Sequence, residues 1–163
     1  VLGDSDAVDT VELGFSGNSG VLQAGSVTLS TRLIEGQFPD YAQVIPKGNT
    51  KQAKIGRTAF AEALRRVSLL SQGRAYGVRF EFETGTLQLV AEDPEFGDAH
   101  ETLPVEYEGE PLVIGFNARY ILDVLALIPE QGVTFNLSDD LSPGVIRPLE
   151  DERFLAVVMP MRI

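Results

Sequence analysis

Cysteine and tryptophan are absent from this 163-residue sequence, and histidine occurs once, at position 100. Without cysteine there is no disulfide, no thiol nucleophile and no cysteine-based zinc site, and one histidine cannot furnish a cluster of metal ligands. Long apolar runs are missing too. None approaches the roughly 18 to 20 residues needed to cross a bilayer, and Val1-Leu2-Gly3-Asp4 has neither the basic region nor the apolar stretch of a signal peptide. No methionine stands at the start, so the sequence reads as a fragment, and the cytoplasm is its expected home. Basic residues are scarce: 13 Lys and Arg against 24 Asp and Glu leave a net charge of −11. Taken as a whole, that balance disfavours non-specific attraction to nucleic acid or anionic membrane.

What is present is enough apolar material, 44% of residues, for one full domain and a remainder. The charge is also segregated. Residues 51–80 carry seven basic side chains (Lys51, Lys54, Arg57, Arg65, Arg66, Arg74, Arg79) and one acid, Glu62, whereas residues 92–110 carry eight acids and no Lys or Arg. Two faces with opposite roles are implied, one tolerating a polyanion and one repelling it or meeting a basic partner.

Taken in order, residues 8–34 alternate as three antiparallel strands around the turn Ser16-Gly17-Asn18-Ser19-Gly20. Three strands cannot bury both faces, so they read as the tail of a preceding domain. An irregular, proline-bounded connector follows, with a domain boundary near residues 46–51. From Thr58 to Gln72 the period becomes helical, with Phe60, Ala63, Leu64, Val67 and Ser71 on one face; Leu69 falls outside that stripe, either a stray exposed leucine or a contact with another chain. Strands then return, and Pro104 makes His100–Tyr107 an edge. The pattern repeats: a strand at 112–116, Asn117 as N-cap, a helix over 118–128, and strands at 133–137, 144–147 and 154–159. Residues 53–108 and 111–163 are thus two copies of strand, helix, three strands, an α+β architecture with two helices on paired antiparallel sheets. Related by a pseudo-twofold, the helices would lie side by side and expose Arg65, Arg66 and Arg119 on one surface.

Signals for catalysis are weak. Gly14 to Gly20 joins two strands rather than a strand and a helix, so it reads as a hairpin turn and not as a phosphate loop or nucleophile elbow. Asp93, Glu95 and Asp98 lack calcium-loop spacing and are interrupted by Pro94. His100 has no evident acid, base or nucleophile partner. The stronger signal is the terminal run Val157-Val158-Met159-Pro160-Met161-Arg162-Ile163. Chain ends are usually polar and frayed; this one is apolar, and two methionines flanking a proline form a soft surface suited to gripping peptide side chains. A plain core strand is the simpler alternative.

Three motifs carry a resemblance. Gly36-Gln37-Phe38-Pro39-Asp40-Tyr41, Ile114-Gly115-Phe116-Asn117 with Tyr120-Ile121-Leu122-Asp123-Val124-Leu125, and the terminal run resemble, in order and along the whole chain, the bacterial DNA polymerase III beta subunits, the sliding clamps. The match covers less than half of a clamp protomer: residues 1–46 correspond to the end of its second domain plus connector, and 47–163 to its third. The resemblance implies the DNA-clamp fold and a non-catalytic processivity factor with no cofactor or metal. In that family two protomers close a ring around duplex DNA, helices inward, and hold the polymerase III alpha subunit, the clamp loader and repair polymerases by short linear motifs. The alternative is a free-standing peptide-binding module that never encircles DNA.

Carried over by motif, the peptide cleft would comprise Pro39, Gln43, Val44, Asn117, Tyr120, Leu141, Pro143, Val157, Met159, Pro160, Met161 and Arg162. Gln43 stands where some clamps carry arginine, and Pro143 where others have a small polar residue. Arg65, Arg66 and Arg119 would face the central hole, with Arg57 and Arg74 weaker candidates. Leu69, Leu70 and Glu95 would lie at the protomer junction of the homodimer, beside the edge strand around His100–Tyr107. Because half of the cleft belongs to the absent part of the second domain, the fragment is expected to bind peptide weakly and not to close a ring.

Overall fold

A computed structural model describes residues 10–37, 40–71, 76–151 and 153–162. The chain divides into two compact units, 1–40 and 41–163. The first is a meander of β1 (Glu12–Ser16), β2 (Ser19–Ala24) and β3 (Val27–Arg32), paired in that order. Its apolar side chains Leu13, Phe15 and Leu29 are exposed.

The second unit opens with a one-turn helix, α1 (Tyr41–Val44), where sequence pattern gave only an irregular connector. Four residues show no periodicity, so nothing in the sequence separates such a turn from a loop. The unit division also falls six residues before the expected boundary. Next come β4 (Lys51–Gly56), α2 (Arg57–Ser68), β5 (Gly77–Glu83), β6 (Thr86–Asp93), β7 (Gly97–Pro104) and β8 (Glu106–Tyr107). The second copy runs β9 (Leu112–Asn117), α3 (Ala118–Leu127), β10 (Gly132–Leu137), β11 (Gly144–Pro148) and β12 (Ala156–Val158). Helix α2 ends four residues earlier than expected. Its final N–H groups bond three residues back, Leu69 N to Arg66 O, Leu70 N to Val67 O and Ser71 N to Ser68 O, a tightened last turn.

Strand order reveals an exchange between the repeats. One sheet is β12-β11-β10-β4-β8 and the other β7-β6-β5-β9, so the opening strand of each copy pairs inside the sheet of the other. Ile55 lies opposite Val133, and Phe80 opposite Ile114. The helix starts repeat the relation. Arg57 N donates to Gln131 O, just before β10, at 2.9 Å, and Ala118 N donates to Tyr76 O, just before β5, at 2.8 Å. Neither copy can complete its sheet or satisfy its helix entrance alone, so the two fold as one body.

The edge expected over His100–Tyr107 is present but split. Pro104 cannot donate to the ladder, and the chain leaves the four-stranded sheet there to join the edge of the other as β8. Gly85, at the β5–β6 turn with φ of 77°, clasps this crossing: its carbonyl accepts from Val105 N and its N–H donates to Tyr107 O.

Aromatic rings fill the space between the sheets. Phe80 and Phe116 from one sheet meet Phe135 from the other, and Phe60 of α2 sits edge-on to Phe80 at 6.1 Å. Helices α2 and α3 pack side by side. Of the residues expected to face inward, Phe60, Ala63, Leu64 and Val67 of α2 are buried, as is Ser71 just beyond its end, while Val124 of α3 is half-buried.

Candidate functional site

The C-terminal tail is tied down at both ends of its apolar stretch. Val158 pairs with Gly144 in the β11–β12 ladder, and Met161 N donates to Gly115 O of β9 at 2.9 Å. The first contact carries Met159 alongside Pro143, and the second sets Met161 beside the strand that feeds α3. Helix α3 packs on β12, and Asn117 Oδ1 caps α3 by accepting from Arg119 N at 2.9 Å. Three separate segments therefore converge: the start of α3, the β10–β11 loop and the tail.

Their large apolar side chains are not used by the core. Tyr120 is 62% exposed, Leu141 67% and Met159 62%; Pro143, Val157, Pro160 and Met161 are half-buried, and Arg162 is exposed. Gln43 and Val44 of α1 are exposed as well, and Pro39 lies outside the described residues. An apolar terminal strand is accounted for by this placement, since one side completes a sheet and the other lines a surface.

Leu141 is displayed by a loop that Asp139 organises. Its carboxylate accepts from Leu141 N at 2.9 Å, from Ser142 N at 2.7 Å and from the Ser142 hydroxyl at 3.0 Å. These bonds favour the ionised form and hold the Asp139 pKa below the ordinary aspartate value, the Leu141 N–H contributing most. The stabilisation is present above the ordinary aspartate range and is lost as pH falls through the lowered folded value. Amide exchange at Leu141 and Ser142 is thus expected to stay slow until pH drops below the range where exposed aspartates protonate, then to rise. Rising at the ordinary aspartate midpoint would contradict the geometry.

The basic candidates are not equivalent. Arg65 is exposed on α2 and forms no ion pair among the described residues. Arg66 is engaged by Glu101 of β7 through two bonds, 2.6 and 3.0 Å, which hold the Glu101 pKa down. Arg119 lies with its guanidinium carbon 5.2 Å from the centroid of the Tyr76 ring. Arg57 is spent locally, its Nε donating to Glu130 O, and Arg74 lies outside the described residues. Of the junction candidates, Leu69 is 66% exposed, Glu95 is exposed, and Leu70 packs partly against the core.

Two exposed or ordering aromatics were missed by sequence reasoning. Phe96 is exposed beside Glu95; a lone aromatic inside an acidic run was the available signal. Tyr76 had no signal, because its role rests on a positive φ and on a partner 43 residues away. Among the described residues no group of three or more His, Asp or Glu could hold a metal, and no helix is long and apolar enough to cross a membrane. His100 meets Asp98 at 2.7 Å, on the surface.

The profile of the family described as "DNA polymerase III beta subunit, C-terminal domain" matches residues 42–162. The chain belongs to the beta sliding clamp family. The beta sliding clamp of Pseudomonas putida is 39% identical over 139 residues, covering 85% of this chain and 38% of its own length. That of Caulobacter vibrioides is 36% identical over 157 residues, covering 96% and 42%. The crystal structure of the Bartonella birtlesii clamp superposes with a TM-score of 0.80 at 38% identity, over 94% of this chain and 44% of that one. The Pseudomonas aeruginosa clamp does so at 0.81 and 36%. The chain thus spans about two fifths of the length of the clamps it matches, and its α+β fold is that of the clamps. Within the sliding clamp sequence the repeated unit, the exchanged strands and the anchored tail all lie inside the matched 42–162 region.

Proposed function

We propose that this chain is the carboxy-terminal part of a replication processivity factor, a ring that encircles duplex DNA and tethers the polymerase III alpha subunit, the clamp loader and repair polymerases through a peptide groove. In this reading residues 1–46 close the second clamp domain and 47–163 form the third, the protein is not an enzyme, and it works in the cytoplasm as a homodimer. The observation that carries the proposal is the convergence of Tyr120, Leu141 and Met159, exposed from three segments around a tail bonded to Gly115. Such a surface offers apolar pockets with a soft methionine wall. A crystal structure of the Bartonella birtlesii clamp bound to griselimycin exists, which supports a ligand-binding role for the family.

The remaining candidates fit the same scheme. Arg65 offers an unpaired charge for water-mediated contact with DNA, and Arg66, held by Glu101, contributes less. Leu69, Glu95 and the free edge of β7 suit a protomer junction, because an uncovered edge strand is a site for pairing.

The test is titration of a fluorescent peptide bearing a glutamine, a leucine and an aromatic pair into the chain, beside a Met159→Ala, Met161→Ala variant. Saturable binding weakened at least about tenfold by the double substitution is the expected result. Absence of saturable binding, or equal binding by the variant, would remove the groove.

A further inference from the structure

The five-stranded sheet turns one face to the core and one away from it. Side chains alternate along a strand, and Val133 and Phe135 of β10 are fully buried on the core side. Thr134, between them, therefore stands on the other face. Its cross-strand neighbours are Lys54 of β4 and Arg147 of β11, and Glu106 of β8 lies next to Lys54, so the four residues form one row. Glu106 takes up the Lys54 ammonium at 2.8 Å. Arg147, half-buried on the other side of Thr134, forms no ion pair among the described residues.

A second cation comes from the connector that leads into β4. Asn49 ties this segment across the sheet, its Nδ2 donating to Asn136 O at 2.8 Å and to Pro143 O at 3.3 Å. Connector and sheet together line a pocket of about 260 Å³, to which the connector contributes Lys47 and the sheet Gln52, Thr134, Asn136 and Arg147. No Asp or Glu is part of the lining, and Lys47, like Arg147, has no ion pair among the described residues. In a chain of net charge −11, two cations facing one small space without an acid are unusual. They repel each other, and an anion between them removes that cost.

The polar floor is ordered to donate. Gln52 Nε2 donates to Asn136 Oδ1 at 2.9 Å, and Asn136 Nδ2 donates to Thr134 Oγ1 at 3.4 Å. This relay occupies the Asn136 carbonyl oxygen and leaves the Thr134 hydroxyl hydrogen to donate. A guanidinium fork from β11, an ammonium from the connector and a hydroxyl from β10 thus supply donors from three separate segments. A carboxylate, with two oxygens in one plane, is satisfied by the fork alone, whereas a tetrahedral phosphate has oxygens for all three.

We propose that this pocket is a phosphate site, taking free phosphate or the phosphate group of a small monoester, with Lys47 and Arg147 carrying the charge and Thr134 orienting the group. The site lies across the core from the basic residues of α2 and does not depend on the groove reading.

The test is titration of the ¹⁵N-labelled full chain with inorganic phosphate at constant ionic strength, followed by the amide shifts of Lys47, Thr134 and Arg147. Saturable shifts centred on these residues are expected, half-complete at about 1 mM or below, with acetate at least about fivefold weaker. Arg147→Gln and Lys47→Gln should each weaken phosphate about three- to tenfold. Arg153→Gln, which removes an arginine already paired with Asp151, should leave it unchanged. Glycerol phosphate distinguishes the two sources: tighter binding than phosphate assigns the pocket to a monoester, and weaker binding assigns it to the free ion. Shifts that never saturate, an equal response to acetate, or an equal loss from Arg153→Gln would show a diffuse surface field and overturn the proposal.

Discussion

Replacing Phe80 with alanine is expected to cost about 3–5 kcal/mol, the range for truncating a buried aromatic, and to leave unit 41–163 at best marginally folded. Phe80 is fully buried and touches four rings: Phe60 at 6.1 Å, Phe82 at 6.5 Å, Phe116 at 5.3 Å and Phe135 at 6.3 Å. Three of these contacts are edge-on, the favourable arrangement of ring quadrupoles. The partners come from α2, from β9 of the second copy in the same sheet, and from β10 in the other sheet. A void at Phe80 therefore loosens the joint between the two repeats, and no neighbour can collapse into it without breaking sheet register. Against a total stability of about 5–15 kcal/mol for a domain, such a loss is large. Urea unfolding of the variant measures it, and a loss below about 1 kcal/mol would show that the rings do not pack as described.

Gly144→Val should have the next largest effect, on both stability and binding. A Cβ at this position would lie 2.5 Å from Phe135 Cε2, 3.1 Å from Phe116 Cζ and 3.2 Å from Leu137 Cδ2. The backbone there is not left-handed, so the penalty is steric overpacking, typically about 1–3 kcal/mol and more for a branched side chain wedged against rings. Gly144 also pairs with Val158, so relief by moving β11 shifts β12 and the tail that presents Met159. Affinity for the groove peptide should fall even under conditions where the variant remains folded. Gly132→Ala is the control. Its Cβ would meet the end of the Leu149 side chain, which is half-exposed and free to swing away, so little change in melting temperature is expected. Equal melting temperatures for native protein and Gly144→Val would refute the close approach.

The element list was largely legible because it depends on local period. Alternation placed β10 and β11 within a residue or two, and the stripe Phe60, Ala63, Leu64, Val67 marked the buried face of α2. The duplication was legible for the same reason, since two copies of one pattern produce two copies of one set of elements. The tail was legible by its incongruity, an apolar end where a polar one is usual. Leu70, carried over with Leu69 to the protomer junction by resemblance, leans partly on the core while Leu69 is exposed, because consecutive residues of a helical turn lie about 100° apart and face different surroundings.

By itself, then, the sequence determined which segments are strands and helices, which side of each is apolar, and that the chain carries one unit twice. Tertiary structure alone decided that β4 and β9 cross into the opposite sheets, that Glu101 takes up Arg66, and that Tyr76 holds both the entrance of α3 and the guanidinium of Arg119. The physical reason is one of range. Side-chain period is fixed within a few residues, whereas backbone hydrogen bonds between segments separated by tens of residues leave no mark on either segment until the chain has folded.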